Sequence, residues 1–241
     1  MNPPEEQAFH TTRWSRVLLA GGPQEADEAQ AALAGLCRDY WYPLYAFARR
    51  RGLDGHDAED ATQGFFLHLL EAGTLERAKE DRGKFRTFLL GSMQKYLANE
   101  HRRKTAGKRG GGVATLSFDA MAAEERYRHE PGNPLTPEAQ FERSWALALI
   151  EKVFRRLAED YEEAGKRDLY EALRPYLAGE ASRPGYEVVA RDLGMSAAAV
   201  GTAVFRMRRR YGERMREEIA GTVSSPAEVE EEIAQLMRAV M

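Results

Sequence analysis

The sequence predicts an all-α protein of two small helical domains joined by a flexible linker, the second domain containing a helix-turn-helix. Three observations carry this. Apolar residues recur at three- and four-residue steps, strand-period alternation and internal repeats are absent, and a short helix, a glycine-bearing turn and a longer helix follow one another late in the chain. A length of 241 residues suits one large domain or two small ones, each able to bury a modest core.

Residues 1–24 read as an N-terminal extension around Trp14. From Glu25 to Tyr40 the positions Ala29, Leu33, Leu36, Cys37 and Tyr40 form the stripe of a core-facing helix. Pro43 lacks the backbone donor and crowds the preceding turn, so a kink or break is expected there, with a second helical piece over Leu44 to Arg51 closed by Gly52. A helix then starts after Asp54 and Gly55, with Asp57, Glu59 and Asp60 near the positive end of its dipole and Ala58, Ala61, Phe65 and Leu69 as its core face. A cationic loop, Glu76 to Lys84, leads to an amphipathic helix whose apolar side is Phe85, Phe88, Leu89, Met93, Tyr96 and Leu97 and whose polar surface is basic. These elements make the first domain, residues 25–104.

Residues 105–137, with GKRGGG and PGNPLTP, read as an interdomain linker holding at most a short helix around Met121 to Tyr127. The second domain, 138–221, opens with Phe141, Trp145, Leu149, Val153, Leu157 and Tyr161 on one long helix, followed by Leu169 to Leu177, a helix containing or ending at Pro175. Tyr186 to Leu193, the turn Gly194-Met195-Ser196 and Ala197 to Tyr211 supply the helix-turn-helix. Residues 222–241 end in an acidic amphipathic helix, with Ser225-Pro226-Ala227-Glu228 as a capping box and Val229, Ile233, Leu236, Met237 and Val240 as its stripe.

The net charge of −3 hides a strong asymmetry: Phe205 to Arg216 holds six arginines and one glutamate, Arg102 to Arg109 five cations and no acid, and residues 217–241 six glutamates and one arginine. Basic contact surfaces on a near-neutral body are implied. The single cysteine, Cys37, precludes a disulfide framework and reads as a buried structural thiol in a reducing compartment. The N-terminus lacks the features of a signal peptide and no stretch is long and apolar enough to span a bilayer, so a cytoplasmic protein without membrane insertion is expected. His10, His56, His68, His101 and His129 share no metal-ligand spacing, the acids at 54–60 lack a calcium-loop pattern, and GKRGGG lacks the preceding strand and following hydroxyl of a phosphate loop. No metal, no cofactor and no catalytic residue is therefore expected, and an enzyme is the weaker class.

Taken in order, YPLYAFARR (42–50), DAEDATQGFFLHLL (57–70), FRTFLLGSMQKYLANEHRR (85–103) and YEVVARDLGMSAAAVGTAVFRMRRRY (186–211) resemble the sigma-70 superfamily, specifically the short extracytoplasmic-function (ECF) type of sigma factor that keeps only the second and fourth sigma regions. The resemblance implies an alternative sigma factor that binds core RNA polymerase and promoter DNA. It places Asp57, Asp60 and Gln63 on the polymerase. At the minus-10 element it places Arg77, Lys79, Arg82, Lys84, Arg86, Arg102 and Arg103 on the DNA strand, with Lys95 and Asn99 facing bases. Phe85, Phe88 and Tyr96 lie on the apolar stripe and read as core rather than stacking platforms.

At the minus-35 element the resemblance puts Ser196 and Ala197 at the helix N-terminus beside a phosphate, Thr202, Arg206 and Arg209 in the groove, and Arg208 and Arg210 on phosphates. Gly201 and Ala203 stand where many members carry basic residues, which shifts the expected reading toward shape and backbone contacts, and Tyr96 replaces a frequent asparagine. The family also suggests an anti-sigma factor or regulatory kinase as partner, and the terminal helix is expected to pack on one of the DNA-binding domains or to cap the second. The competing reading is a stand-alone helix-turn-helix regulator, which leaves the DAEDATQ helix without a role.

Overall fold

The computed structural model describes residues 23–71, 84–105, 120–130, 135–179, 182–223 and 225–241, which form helices and no strand. They fall in two units, one of residues 1–147 and 220–241 and one of residues 148–219. The second unit is thus inserted between two parts of the first.

In the first unit, helix α1 (Pro23–Arg50) runs through Pro43 without a break. An interior proline costs about 3 kcal/mol of helix stability, but here Trp41, Tyr42, Leu44, Tyr45, Phe47 and Ala48 are all buried around it. Tertiary burial of the flanking side chains offsets the lost hydrogen bond, and this is why the helix does not break at Pro43. Gly52 (φ +95°) turns the chain after α1. Asp54 then caps α2 (Gly55–Glu71), its Oδ1 accepting from the Asp57 N–H at 2.8 Å. Ala58, Thr62, Phe65, Phe66 and Leu69 bury the inner face of α2 against α1, with Trp41 stacked on Phe66 at 6.1 Å.

Helix α3 (Phe85–Thr105) contributes Phe85, Leu89, Met93 and Leu97 to the same core. Tyr96 rests on Phe65 edge-on at 5.8 Å, and its hydroxyl lies where a side chain at Gly64 would begin, so α2 and α3 approach closely only because residue 64 has no Cβ. Helix α4 (Ala120–His129) falls in the stretch expected to be linker, yet it buries Ala123 and packs on α1. There Glu124 accepts from Tyr45 at 2.5 Å and pairs with Arg49 Nε at 3.0 Å, while Tyr42 donates to Glu130 at 2.6 Å.

Helix α5 (Pro137–Glu163) has the expected stripe: Phe141 and Trp145 are buried in the first unit, and Leu149, Val153, Leu157 and Tyr161 in the second. The second unit adds α6 (Arg167–Ala178), continuous through Pro175, then α7 (Tyr186–Asp192) and α8 (Ala197–Ala220). Leu157, Tyr170, Leu173, Tyr176, Val189, Val200, Val204 and Met207 form its core. The α7–α8 pair is bent by 100°, with Gly194 at φ +63° in the connection. No single helix among the described residues is long and apolar enough to cross a membrane.

A 3₁₀ turn (Pro226–Glu228) leads into α9 (Val229–Val240), which belongs to the first unit. The expected capping box is not made: Ser225 holds the extended conformation of a cap, but its hydroxyl caps nothing. Val229 and Leu236 are buried, as the stripe requires, and so is Glu232.

Candidate polymerase and nucleic-acid interfaces

The residues expected on the polymerase stand on the outer side of α2. Asp57 and Asp60 are exposed, while Ala58 and Phe65 of the same helix are in the core. His56 lies 3.5 Å from Asp60, and Gln63 donates to Glu59 at 3.0 Å. A backbone hydrogen bond and the Asp60 carboxylate both raise the His56 pKa. The face as a whole remains acidic and open to water, able to meet a cationic partner.

The minus-10 set divides. Lys95, Asn99, Arg102 and Arg103 are exposed on the outer side of α3, where Asn99 accepts from Arg102 at 2.5 Å and Arg103 pairs with Glu100 at 3.0 Å. Arg77, Lys79 and Arg82 lie outside the described residues. Lys84 and Arg86 are placed differently: both pair with the terminal helix, Arg86 buried and Lys84 partly exposed. Arg86 is 6 % exposed, with Nε 2.6 Å and Nη2 3.1 Å from the two oxygens of Glu232, Nη2 also 2.7 Å from Gln235, and Nη1 paired with Glu142. Its guanidinium lies over the Trp145 ring at 4.9 Å. Lys84 Nζ is 2.8 Å from Glu232 and donates to Gln235 at 2.5 Å. Burial raises the Glu232 pKa, but the hydrogen bonds and charges of Arg86 and Lys84 outweigh it and hold the carboxyl below its usual range.

A buried bidentate pair of this kind is a core element rather than a DNA contact. The signal was present in the spacing. Arg86 precedes Leu89, Met93 and Leu97 by helical steps, and Glu232 sits between Val229 and Leu236, so each is a charge written into an apolar stripe. Two opposite charges in two buried stripes imply that the stripes face each other.

In the second unit, Ser196 Oγ accepts from the Ala199 N–H at 3.1 Å and so caps α8. Ala197 is partly buried at the first turn. Thr202, Arg206 and Arg209 are exposed on the side away from Val200, Val204 and Met207. The Thr202 hydroxyl donates to the Ala198 carbonyl at 3.0 Å, and Arg209 pairs with Glu213 at 2.9 Å. Arg208 donates to the Tyr176 carbonyl at 3.2 Å, tying α8 to the end of α6.

Arg210 lies 3.3 Å from Asp160, and Arg214 makes a two-point contact with the same carboxylate, Nη2 at 2.6 Å and Nε at 2.9 Å. The Arg214 hydrogen bond depresses the Asp160 pKa. Arg206, Arg209, Arg210 and Arg214, with Glu213 and Glu217, line one open groove. The pairing of Arg214 with Asp160 is not legible in the sequence, because it joins positions 54 residues apart. A Cβ at Gly201 would meet the Tyr186 ring at an ordinary contact distance of 3.5 Å, so the space there does not itself demand glycine. Among the described residues no group of three or more His, Cys, Asp or Glu could hold a metal ion.

Residues 36–106, which take in the second half of α1 and all of α2 and α3, match the family model of sigma-70 region 2. No curated protein and no solved structure matches the chain.

Proposed function

We propose that the chain, whose residues 36–106 match sigma-70 region 2 and so support membership of the sigma-70 superfamily, binding to core RNA polymerase and a role in transcription initiation, is an alternative sigma factor of the ECF type acting in the cytoplasm. The observation that carries the reading is the coincidence of that match with two exposed polar faces on one unit: the acidic side of α2 at Asp57 and Asp60, and the Lys95, Asn99, Arg102 and Arg103 side of α3. In this reading the first meets a cationic surface of the core polymerase and the second tracks the separated strand of the minus-10 element, cations on phosphates and Asn99 on a base edge.

We assign the minus-35 contact to the second unit. Two helices meeting at 100° through a short turn fall within the roughly 90–120° of DNA-binding helix-turn-helix pairs. Helix α8 then lies in the major groove, with Ser196 and Ala197 at a phosphate, Arg206 and Arg209 inward, and Arg210 at the flanking backbone. Arg208, committed to the Tyr176 carbonyl, orients α8 before it contacts DNA.

The test is transcription by purified core RNA polymerase on fragmented genomic DNA, with and without the chain. Chain-dependent starts sharing an upstream motif are expected. Asp60→Lys, on an exposed position, removes both the starts and co-elution with the core enzyme while leaving the helical circular dichroism intact. A chain that neither directs starts nor co-elutes, yet retains duplex DNA alone, is a stand-alone regulator and overturns the reading.

A further inference from the structure

Phe205 is 69 % exposed, although it stands in the middle of a helix with a well-filled inner face: Val200, Val204 and Met207 are 0, 2 and 1 % exposed. The core does not need it. Its place on the helix is informative. Ala198, Thr202, Phe205 and Arg209 follow one another at steps of three and four residues, with Arg206 one turn after Thr202 at the edge of the same outward face. Toward the start of α8 that face is apolar. Ala198 has no polar group, the Thr202 hydroxyl proton is spent on the Ala198 carbonyl, which leaves its methyl as the outward contact, and Phe205 presents a ring. Toward its end the face is cationic, passing into the groove of Arg206, Arg209, Arg210 and Arg214.

An exposed aromatic ring flanked by arginines fits an anionic ligand that carries apolar groups of its own. On the major-groove edge of DNA the apolar group is the thymine C5 methyl, and alanine, the threonine methyl and phenylalanine are the side chains that contact it. The arginines supply the phosphate attraction that holds the helix against the groove. We infer that Phe205, with the Thr202 methyl and Ala198 beside it, is a specificity determinant that selects thymines in the minus-35 element by apolar contact rather than by hydrogen bonds. This rests on the minus-35 assignment made above.

The test uses the full chain bound to core RNA polymerase. Duplexes are first selected from a pool of randomised double-stranded DNA by the wild-type complex, then resynthesised with deoxyuridine in place of each upstream thymidine in turn. Deoxyuridine keeps the pairing and the charge and removes only the methyl. Each contacted methyl should be worth about fourfold in affinity, at one or two positions.

Phe205→Ala should lower affinity for the thymidine duplexes and abolish the difference between the two bases, while polymerase co-elution and the thermal midpoint stay unchanged. Equal binding of thymidine and deoxyuridine duplexes by the wild type, or an unchanged preference in Phe205→Ala, overturns the inference. Loss of co-elution in Phe205→Ala overturns it too, since the ring would then be a protein contact. A wild-type complex that selects no duplex at all defeats the minus-35 assignment itself.

Discussion

Replacing Glu232 with glutamine keeps the side-chain volume and one acceptor oxygen but removes the charge that neutralises two cations. In the wild type the carboxylate is 1 % exposed and accepts from Arg86 Nε at 2.6 Å, Arg86 Nη2 at 3.1 Å and Lys84 at 2.8 Å. Hydrogen bonds to charged groups contribute about 1.5–3 kcal/mol each, and breaking a buried pair from one side costs about 3–5 kcal/mol. Glu142 still pairs with Arg86, and Lys84 is 19 % exposed and can turn to water, so the lower end applies: about 3 kcal/mol.

Urea unfolding followed by tryptophan fluorescence reads this directly, since the chain's three tryptophans all precede residue 148 and Trp41 and Trp145 are buried in the first unit. With a slope of about 2 kcal/mol/M the midpoint falls by about 1.5 M. Glu231→Gln is the control: that side chain is 64 % exposed and 3.7 Å from Lys84, and its loss should cost under about 0.5 kcal/mol. The double variant Arg86→Met, Glu232→Leu should return to within about 1 kcal/mol of the wild type, because two apolar groups replace two paired charges. The sign with pH follows from the depressed Glu232 pKa. Its stabilisation is fully present above the ordinary value of 4.5 and is lost as pH falls through the lower folded value, so the gap between wild type and Glu232→Gln closes in acid. An equal, small effect of Glu232→Gln and Glu231→Gln would refute the argument.

Gly64→Ala should destabilise the first unit by about 1–2 kcal/mol, against the gain of up to about 1 kcal/mol that the same change brings in an open helix, because the new methyl meets the Tyr96 hydroxyl. Tyr96→Phe in that background should recover much of the loss, measured as a double-mutant cycle in urea. Asp160→Asn should cost the second unit about 1–2 kcal/mol, discounted for the partly exposed Arg210 and Arg214, and is read by faster hydrogen exchange in α8. The depressed Asp160 pKa makes that contribution present above the ordinary value of 3.8 and lost as pH falls below it. Promoter affinity of the polymerase complex should carry a chain-dependent log–log salt slope of about −5 to −7 for six to eight phosphate contacts, measured against Arg210→Ala, which should flatten it by about one.

The terminal helix shows where local pattern stops. Val229, Ile233, Leu236, Met237 and Val240 mark it as amphipathic, and residues 217–241 mark it as acidic, but neither says which domain it serves. A stripe states that a face will be buried without naming the face that buries it. The choice came from Arg86, 146 residues earlier, whose charge needed a buried counter-charge and whose helix presents it beside Leu89 and Met93. The short helix at 120–129 is similar: its residues are unremarkable as a helix, and its place is set by Tyr42, Tyr45 and Arg49 reaching Glu124 and Glu130.

Helices, their inner faces and the order of motifs are legible in the sequence, because these follow from residue-to-residue periodicity: Phe141, Trp145, Leu149, Val153, Leu157 and Tyr161 are buried as their spacing requires, and α7, Gly194 and α8 stand where the turn chemistry puts them. Long-range packing settles the rest: that the helix continues through Pro43, that Lys84 and Arg86 pair with Glu232, that α9 completes the first unit, and that Phe205 is left outside. Each of these depends on free energy gained between segments far apart in the chain, where the burial or pairing of one residue is settled by another that no local window contains.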